Sequence, residues 1–338
     1  MVMRDPTFES VACELCGSDQ SEVILQAKER RFGLEGCFTV VRCKKCSLVY
    51  INPRPLEEGL RRYYPRDYYA YQPAPQKSGL PQRMKGRIKA MALEEYKTAP
   101  GHSIPSPRKL LRRALSFPLQ GRLQGLPDHL SGGRVLDVGC GTGGYLRLLR
   151  ELGWEVYGVE VDEVACAEAK KWELDIFHGQ LEEAGFPEDC FDLVRMNHVL
   201  EHLPRPLRSL KEAKRVLKEG GRLLIEVPNV ASLSALLFGD RWYHLDVPRH
   251  LFHFSPRTLR PLLEKAGFAQ VEISHLPTTS GFTGSLQNIW NEASGNPKGK
   301  RLRWSRGLNL SLWPISSLLA KLGQGEFVRA VAFKRSRR

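Results

Sequence analysis

The sequence predicts an α/β fold preceded by a small cysteine-rich module. Between residues 131 and 276, apolar segments of strand length alternate with apolar segments of helix length, which is typical of a sheet connected by crossover helices. A glycine-rich turn follows the first of these strands, and two pairs of cysteines lie near the start of the chain. With 338 residues, the chain can bury the core of one large or two ordinary domains.

The first strand of this region leads directly into a ligand-binding corner. Residues 134–138 (RVLDV) predict a buried strand, residues 139–144 (GCGTGG) a tight turn, and residues 145–152 a helix with apolar spacing. This order is typical of nucleotide-binding sites, because glycines let the backbone approach a ligand closely. Glu160 lies at the end of the next strand, where a carboxylate can hold both hydroxyls of a ribose.

Two classes of cofactor fit such a turn. Gly139, Gly141 and Gly144 match the G-x-G-x-x-G pattern of dinucleotide sites. Asp137 argues against a dinucleotide, since its carboxylate would repel a pyrophosphate resting on the helix N-terminus. S-adenosylmethionine has no phosphate and carries a sulfonium and an ammonium, so an acid beside the turn is favourable. We therefore expect S-adenosylmethionine rather than NAD.

The central region resembles the class I S-adenosylmethionine-dependent methyltransferases over about residues 131–276. The motifs that carry the resemblance are VLDVGCGTG at 135–143, GVE at 158–160 and FDLVRMNHVLEHL at 191–203. The resemblance implies a Rossmann-like seven-stranded sheet with helices on both faces and a reversed last strand. The fifth, sixth and seventh strands would be residues 220–228, 268–275 and 326–333.

The resemblance also implies how the cofactor is held. Asp137 and the turn glycines would line the methionine end, and Glu160 would hold the ribose. Gln180 and Leu181, after the third strand at residues 175–178, would flank the adenine. Many relatives have Asp where Gln180 stands, but an amide oxygen can also accept from the adenine amino group. The candidate cofactor-binding residues are Asp137, Gly139, Cys140, Gly141, Gly143, Glu160, Val161, Gln180, Leu181, Asn197 and His198.

The segment after the fourth strand carries two pairs of polar residues. By the same resemblance, Asn197 and His198 would close the floor of the site near the transferring methyl group. For Glu201 and His202 we expect helix capping and local packing rather than a functional role.

The expected acceptor side is the loop at residues 241–256, which contains three histidines and follows the fifth strand. Ligands of open α/β sheets bind outside the carboxyl ends of the strands. A histidine titrates near neutral pH and can remove a proton from an acceptor. We predict His250 as the catalytic base, with His244 as second candidate and Asp246 as a residue that orients the base. The alternative is that these residues only pack, and that transfer proceeds by proximity alone.

Two C-x-x-C pairs, Cys13 with Cys16 and Cys43 with Cys46, are separated by 26 residues. This spacing is typical of a zinc ribbon, in which four thiolates form a closed structural site. Free thiols, or disulfides in a secreted protein, are the alternatives. The start MVMRDP contains no apolar signal-peptide stretch, so we expect a cytoplasmic protein and favour zinc.

The cysteine pairs are followed by the motifs LVYINPRP and YYPRDYY. This arrangement resembles bacterial methyltransferases with an added zinc ribbon, which often serve cell-envelope polysaccharide or natural-product pathways. We therefore predict a zinc-ribbon-like module at residues 1–60 and a tyrosine-rich, basic linker with short helices at 61–130. The methyltransferase domain would occupy 131–338, with an inserted substrate or lid segment at about 277–325.

The net charge of +14 is concentrated outside the expected catalytic region. Residues 77–122 carry +9 and residues 298–338 carry +10, so the remainder is mildly acidic. The apolar stretch at 308–322 would form either an interfacial helix on anionic lipid or a lid over the active site. An anionic or lipid-linked acceptor and peripheral contact with the inner membrane face through the tail fit this charge pattern.

Three functions fit these observations. The first is methyl transfer to oxygen, nitrogen or carbon of a sugar, a lipid-linked saccharide or a natural-product intermediate. The second is RNA methylation, in which the zinc module and the basic linker bind phosphate. The chain lacks the Asn/Asp-Pro-Pro-Tyr signature of base-amino methylation. The third is a catalytically silent scaffold, against which the intact glycine turn and Glu160 argue.

Overall fold

The structure is a computed structural model that describes residues 7–65, 132–295 and 305–335. Its N-terminal part contains short strands and one helix. These elements are β1 (Phe8–Glu9), β2 (Ser21–Lys28), β3 (Cys37–Cys43), β4 (Val49–Ile51), β5 (Arg54–Pro55) and α1 (Glu57–Arg61). Most of the predicted linker, including its short helices, lies outside the described residues.

The central and C-terminal parts alternate between strands and helices, as the sequence predicts. The strands are β6 (Arg134–Val138), β7 (Glu155–Glu160), β8 (Asp175–His178), β9 (Phe191–Asn197), β10 (Leu217–Pro228), β11 (Phe252–His253), β12 (Ala269–Leu276) and β13 (Phe327–Phe333). The helices are α2 (Gly144–Glu151), α3 (Glu163–Lys170), α4 (Pro206–Val216), α5 (Leu233–Phe238), α6 (Pro256–Lys265), α7 (Ser280–Ala293) and α8 (Ser305–Lys321).

Seven of these strands form one sheet in the order β12-β13-β10-β9-β6-β7-β8. The strands from β6 to β10 pair in parallel, whereas β13 runs antiparallel to both β10 and β12. This confirms the predicted seven-stranded sheet with a reversed last strand. The chain order reverses between β6 and β9, so their carboxyl ends lie side by side at the point where open α/β sheets bind ligands.

A second sheet joins the N-terminal part to the central region. Its order is β11-β4-β3-β2, and all its pairs are antiparallel. Strand β11 belongs to the histidine-rich loop at 241–256, and its Phe252 pairs with Tyr50 on β4. The sheet therefore combines chain segments from both sides of the predicted boundary at residue 60. The loop expected to face the acceptor is held by the cysteine-bearing module.

The C-terminal helices α7 and α8 precede the last strand. Helix α8 covers most of the predicted apolar stretch and leaves Leu310 and Leu318 exposed, and Leu322, just after the helix, is exposed as well. Among the described residues, no helix combines the length and the apolarity needed to cross a membrane.

Candidate functional site

The glycine turn between β6 and α2 requires glycine at two positions. Gly139 and Gly143 have φ angles of +68° and +73°, in the left-handed region that disfavours other residues. A Cβ on Gly139 would lie 2.4 Å from Val199 Cγ2, and a Cβ on Gly143 would lie 2.3 Å from Leu174 Cδ1. Both positions therefore show the close backbone packing that the glycine pattern predicts.

Glu160, at the end of β7, holds this turn in place. Its Oε2 accepts a hydrogen bond from the Gly141 amide at 2.7 Å. Its Oε1 accepts from the amides of Val161 and Asp162 at 2.9 and 3.0 Å. Burial raises the pKa of Glu160, although the three amides favour the ionised form. The carboxylate thus lies between the glycine turn and the start of α3, at the sheet edge where ribose recognition is predicted.

The candidate adenine residues follow the neighbouring strand. His178 of β8 pairs with Glu160 of β7 across the sheet. The backbone amide of Gln180 donates to Glu183 Oε2 at 2.9 Å at the start of a short 3₁₀ turn. Leu181, in that turn, is buried. The two residues predicted to flank adenine are therefore placed beside the strand that ends in Glu160.

A row of charged and polar side chains crosses the sheet at the same edge. Asp137 on β6 accepts from Arg195 Nη1 on β9 at 2.8 Å, and burial raises the pKa of Asp137 despite this ion pair. When the Asn197 side-chain amide is oriented so that both its oxygen and its nitrogen form hydrogen bonds, the oxygen accepts from Arg195 at 3.2 Å and the nitrogen donates to Glu226 at 2.6 Å. Glu226 in turn pairs with Arg329 on β13. Local sequence patterns do not predict the contribution of Arg195, since its position opposite Asp137 depends on the register of two strands.

The strand order is that of an open α/β sheet, and the glycine turn and the acid at the end of β7 lie together at one edge of this sheet. Residues 108–273 match a family model described as a methyltransferase domain. The chain carries a class I S-adenosylmethionine-dependent methyltransferase domain.

Two curated relatives show the extent of the similarity. A probable S-adenosylmethionine-dependent methyltransferase of Mycolicibacterium smegmatis is 34% identical over 150 residues, which cover 43% of this chain and 55% of that relative. A ubiquinone biosynthesis O-methyltransferase of Maricaulis maris is 30% identical over 166 residues, which cover 44% of this chain and 65% of that relative. The chain thus spans only part of the length of both relatives.

The chain is also similar to a solved structure. The crystal structure of a methyltransferase from Archaeoglobus fulgidus, described as dependent on S-adenosylmethionine, is 25% identical in sequence and superposes with a TM-score of 0.43. The comparison covers 67% of this chain and 94% of that chain.

On the side of the methyltransferase domain that is predicted to face the acceptor, two histidines contact one phenylalanine. His198 follows Asn197 at the end of β9 and has a left-handed φ of +56°. Its ring centroid lies 4.6 Å from that of Phe327, and the ring centroid of His244 lies 4.8 Å from the same phenylalanine. The side chain of His198 is 32% exposed and that of His244 is 10% exposed. The two rings form a wall beside the sheet edge.

His244 is supported by groups from the segment between β12 and β13. Its Nε2 lies 2.9 Å from the hydroxyl oxygen of Ser280 and 3.8 Å from Glu326 Oε2. The Glu326 carboxylate accepts hydrogen bonds from the amides of Gly281 and Phe282. Burial lowers the pKa of His244, and the nearby Glu326 opposes this shift.

The other two predicted catalytic residues lie deeper. His250 Nδ1 donates to the His244 carbonyl at 2.8 Å, and its Nε2 is 3.9 Å from Asp246 Oδ2, beyond hydrogen-bond distance. The Asp246 carboxylate instead pairs with Arg249 at 2.5 Å and Arg31 at 3.0 Å. Burial, followed by the charge of neighbouring His202, lowers the pKa of His250 to about 3. The structure brings the three residues together, and their catalytic roles remain predictions.

The four cysteines of the N-terminal pairs converge. The Sγ atoms of Cys13, Cys16, Cys43 and Cys46 all lie within 4.8 Å of one another. The Cys13–Cys46 and Cys16–Cys43 pairs are each separated by 3.4 Å. Because a Zn–S bond is about 2.3 Å, four thiolates around zinc lie about 3.8 Å apart. The donor set and its spacing therefore fit a zinc ion. The remaining central cysteines, Cys140, Cys166 and Cys190, are buried as expected for packing residues.

Proposed function

We propose that this chain transfers the methyl group of S-adenosylmethionine to a small-molecule acceptor. The observation that carries the proposal is Glu160, whose carboxylate joins the glycine turn to the end of β7 at the switch point of the sheet. The proposed acceptor classes are a sugar, a lipid-linked saccharide and a natural-product intermediate. The cysteine module and the basic segments, which accompany the methyltransferase domain, support these classes.

In the proposed mechanism, Glu160 holds the ribose hydroxyls, and Asn197 and His198 lie beside the sulfonium. The acceptor atom attacks the methyl carbon from the side opposite the sulfur. The carbon–sulfur bond breaks with its electron pair remaining on sulfur, which leaves S-adenosylhomocysteine. The acceptor gains one carbon bond and loses one proton. Alignment of the acceptor with the methyl group supplies most of the acceleration in such a displacement.

We further propose that His244 removes the acceptor proton. It lies at the wall beside Phe327, and Glu326 Oε2 at 3.8 Å would stabilise the imidazolium that forms. His250 is less suited to this role, because a pKa of about 3 makes it a weak base. Asp246, two residues after the proposed base, would hold this part of the loop in place through the two arginines that it binds.

The zinc ion would have a structural role in this account. A site with four cysteine ligands leaves no open position for water or substrate. It would fix β3 and the turn before β4, and through β11 it would fix the loop that carries the proposed base.

We also propose that helix α8 brings the protein to its acceptor at a membrane surface. Its exposed leucines and the basic residues of the tail match the features of an interfacial helix. This would place a lipid-linked saccharide within reach of the sheet edge.

Transfer of tritium from methyl-labelled S-adenosylmethionine tests the proposed function. The full chain would be incubated with a small-molecule extract, a lipid extract and total RNA, each in a separate reaction. We expect label in one of the first two fractions, and none with the Glu160→Ala variant. Label found only in RNA, or in no fraction, would overturn the small-molecule assignment.

A further inference from the structure

We propose that Glu201, His202 and His250 form a second metal site, separate from the cysteine cluster, for a divalent first-row transition-metal ion. One ligating atom from each of these side chains lies within 4.8 Å of the other two. Ligand atoms around a single ion lie about 3–4 Å apart, because bonds from zinc to nitrogen or oxygen are about 2.0–2.2 Å long. Closing around an ion therefore requires only a small movement of the side chains.

Both histidines have a carbonyl oxygen beside Nδ1, which favours the tautomer that a metal requires. His202 Nδ1 lies 3.0 Å from the Arg249 carbonyl oxygen, and His250 Nδ1 lies 2.8 Å from the His244 carbonyl oxygen. A carbonyl oxygen can only accept, so a hydrogen bond to it places the hydrogen on Nδ1 and leaves Nε2 with its lone pair. At His202 the Tyr64 hydroxyl lies at the same distance from Nδ1 and would then act as a second acceptor. Histidine ligands in metalloproteins are oriented by this kind of hydrogen bond from the non-ligating nitrogen.

The environment of Glu201 provides a second, independent observation in favour of a metal site. Its side chain is 1% exposed, and neither carboxylate oxygen makes a hydrogen bond within the described part of the chain. The nearest basic nitrogen is His198 Nδ1, 3.4 Å from Oε1. Leaving a buried carboxylate without hydrogen bonds is costly, so such a group calls for a partner. A cation between Glu201 and the two imidazoles would satisfy it.

The cluster is assembled from distant parts of the chain. Glu201 and His202 form a short turn after β9, and His250 precedes β11. The Tyr64 hydroxyl, from the segment just after the N-terminal module, lies 3.0 Å from His202 Nδ1. The helix capping and local packing expected for Glu201 and His202 would leave the buried carboxylate without a hydrogen bond. A bound ion would lock the module, the acceptor loop and the end of β9 together.

The donor set indicates the class of ion. Two imidazole nitrogens and one carboxylate oxygen favour zinc, iron(II) or nickel over magnesium, calcium and manganese, which prefer oxygen ligands. His198 is the nearest candidate for a further ligand, and its ring also contacts Phe327 at the acceptor wall. The site would therefore lie directly behind the wall that His198 and His244 form beside Phe327. That this wall faces the acceptor rests on the proposed function.

Metal analysis of the full chain tests this site without relying on methyl transfer. Protein stripped with a chelator and then titrated with zinc chloride should bind two equivalents of zinc. The Glu201→Gln and His202→Gln variants should each bind one, and the control His275→Asn, a histidine on β12 outside the cluster, should bind two. Unchanged affinity for S-adenosylhomocysteine would show that the variants are folded. Two equivalents in Glu201→Gln, or one equivalent in the unmodified chain, would contradict the proposal.

A measurement on the unmodified protein avoids any loss of folding in the variants. Crystals of the full chain grown with zinc chloride should show two anomalous difference peaks. One should lie among the four cysteine sulfurs, and the other among Glu201, His202 and His250. A peak at the cysteines with no peak at the second cluster would overturn the inference. Because this readout needs no acceptor, failure of the proposed function would leave it unaffected.

Discussion

Arg249 Nη2 lies 2.6 Å from Glu29 Oε1, and both side chains are completely buried. Arg249 belongs to the loop at residues 241–256, the acceptor loop of the proposed function, and Glu29 follows β2 in the N-terminal module. The same guanidinium binds Asp246 and donates to the Tyr63 carbonyl at 2.9 Å. Glu29 also accepts hydrogen bonds from the amides of its own turn. This buried ion pair therefore fixes the acceptor loop against the module that carries the cysteines.

Replacing Arg249 with methionine should destabilise the protein strongly. The change leaves the buried carboxylate of Glu29 without its cation and leaves Asp246 with Arg31 alone. Breaking a buried ion pair in this way costs about 3–5 kcal/mol. Urea denaturation would measure the loss. The matched control is Arg61→Ala, which breaks the exposed pair with Glu57 and should cost less than about 0.5 kcal/mol. Equal effects of the two changes would contradict the structural role of Arg249.

Replacing Glu160 with alanine should weaken binding of S-adenosylhomocysteine by at least about tenfold, equivalent to about 1.4 kcal/mol. The variant loses the proposed ribose ligand and the three hydrogen bonds that hold the glycine turn. Isothermal titration calorimetry would measure the affinity. Glu163→Ala, an exposed acid at the start of α3, serves as the control and should bind normally. Normal binding by both variants would remove Glu160 from the cofactor site.

Replacing Gly139 with alanine should impair cofactor binding more than the same change at Gly144. The new Cβ would lie 2.4 Å from Val199 Cγ2, whereas at Gly144 no atom lies within 4 Å. The double variant Gly139→Ala/Val199→Ala should recover part of the affinity, because it removes the clash but keeps the unfavourable φ of +68°. Calorimetry on the three variants checks this order. The account fails if Gly139→Ala binds as well as Gly144→Ala.

Replacing His244 with asparagine should lower kcat by about 100-fold or more, the usual contribution of a general base. Affinity for S-adenosylhomocysteine should stay unchanged, since His244 lies on the acceptor side. His275→Asn is the matched control for loss of a histidine. Steady-state kinetics with the acceptor found by tritium transfer would check this. Full activity of His244→Asn would show that transfer needs no base at this position.

Removal of zinc should destabilise the methyltransferase domain as well as the module. The proposed zinc ligand Cys43 ends β3, which pairs with β4, and β4 pairs with β11 of the loop at 241–256. A Cys13→Ser/Cys16→Ser variant should therefore lack the zinc of this site and unfold at a lower temperature in a single transition. Calorimetric melting with metal analysis would test this, with Cys37→Ser as the control. An unchanged main transition would show that the two parts fold independently.

Much of the fold follows from local sequence patterns. The glycine turn, the acid at the end of β7 and the paired cysteines are short motifs, and the structure places each at the expected strand end or turn. The reversed strand β13 could be placed by its resemblance to a known topology. These features depend on neighbours in sequence or on a sheet order shared by many chains.

The parts that could not be predicted are contacts between distant residues. The pairing of Asp137 with Arg195 depends on strand register, and Glu29 meets Arg249 across 220 positions of the chain. The addition of β11 to the N-terminal sheet likewise needs the three-dimensional arrangement. Glu201 shows the consequence most clearly, because the local pattern predicts capping and packing but does not show that histidines from distant segments surround this carboxylate.

A crystal structure with S-adenosylhomocysteine would test the central claim most directly. The account predicts that both ribose hydroxyls lie within hydrogen-bond distance of the Glu160 carboxylate. The adenine should lie beside Gln180 and Leu181, and the sulfur should face the cleft near Asn197 and His198. A ligand bound elsewhere, or with its ribose away from Glu160, would contradict the account.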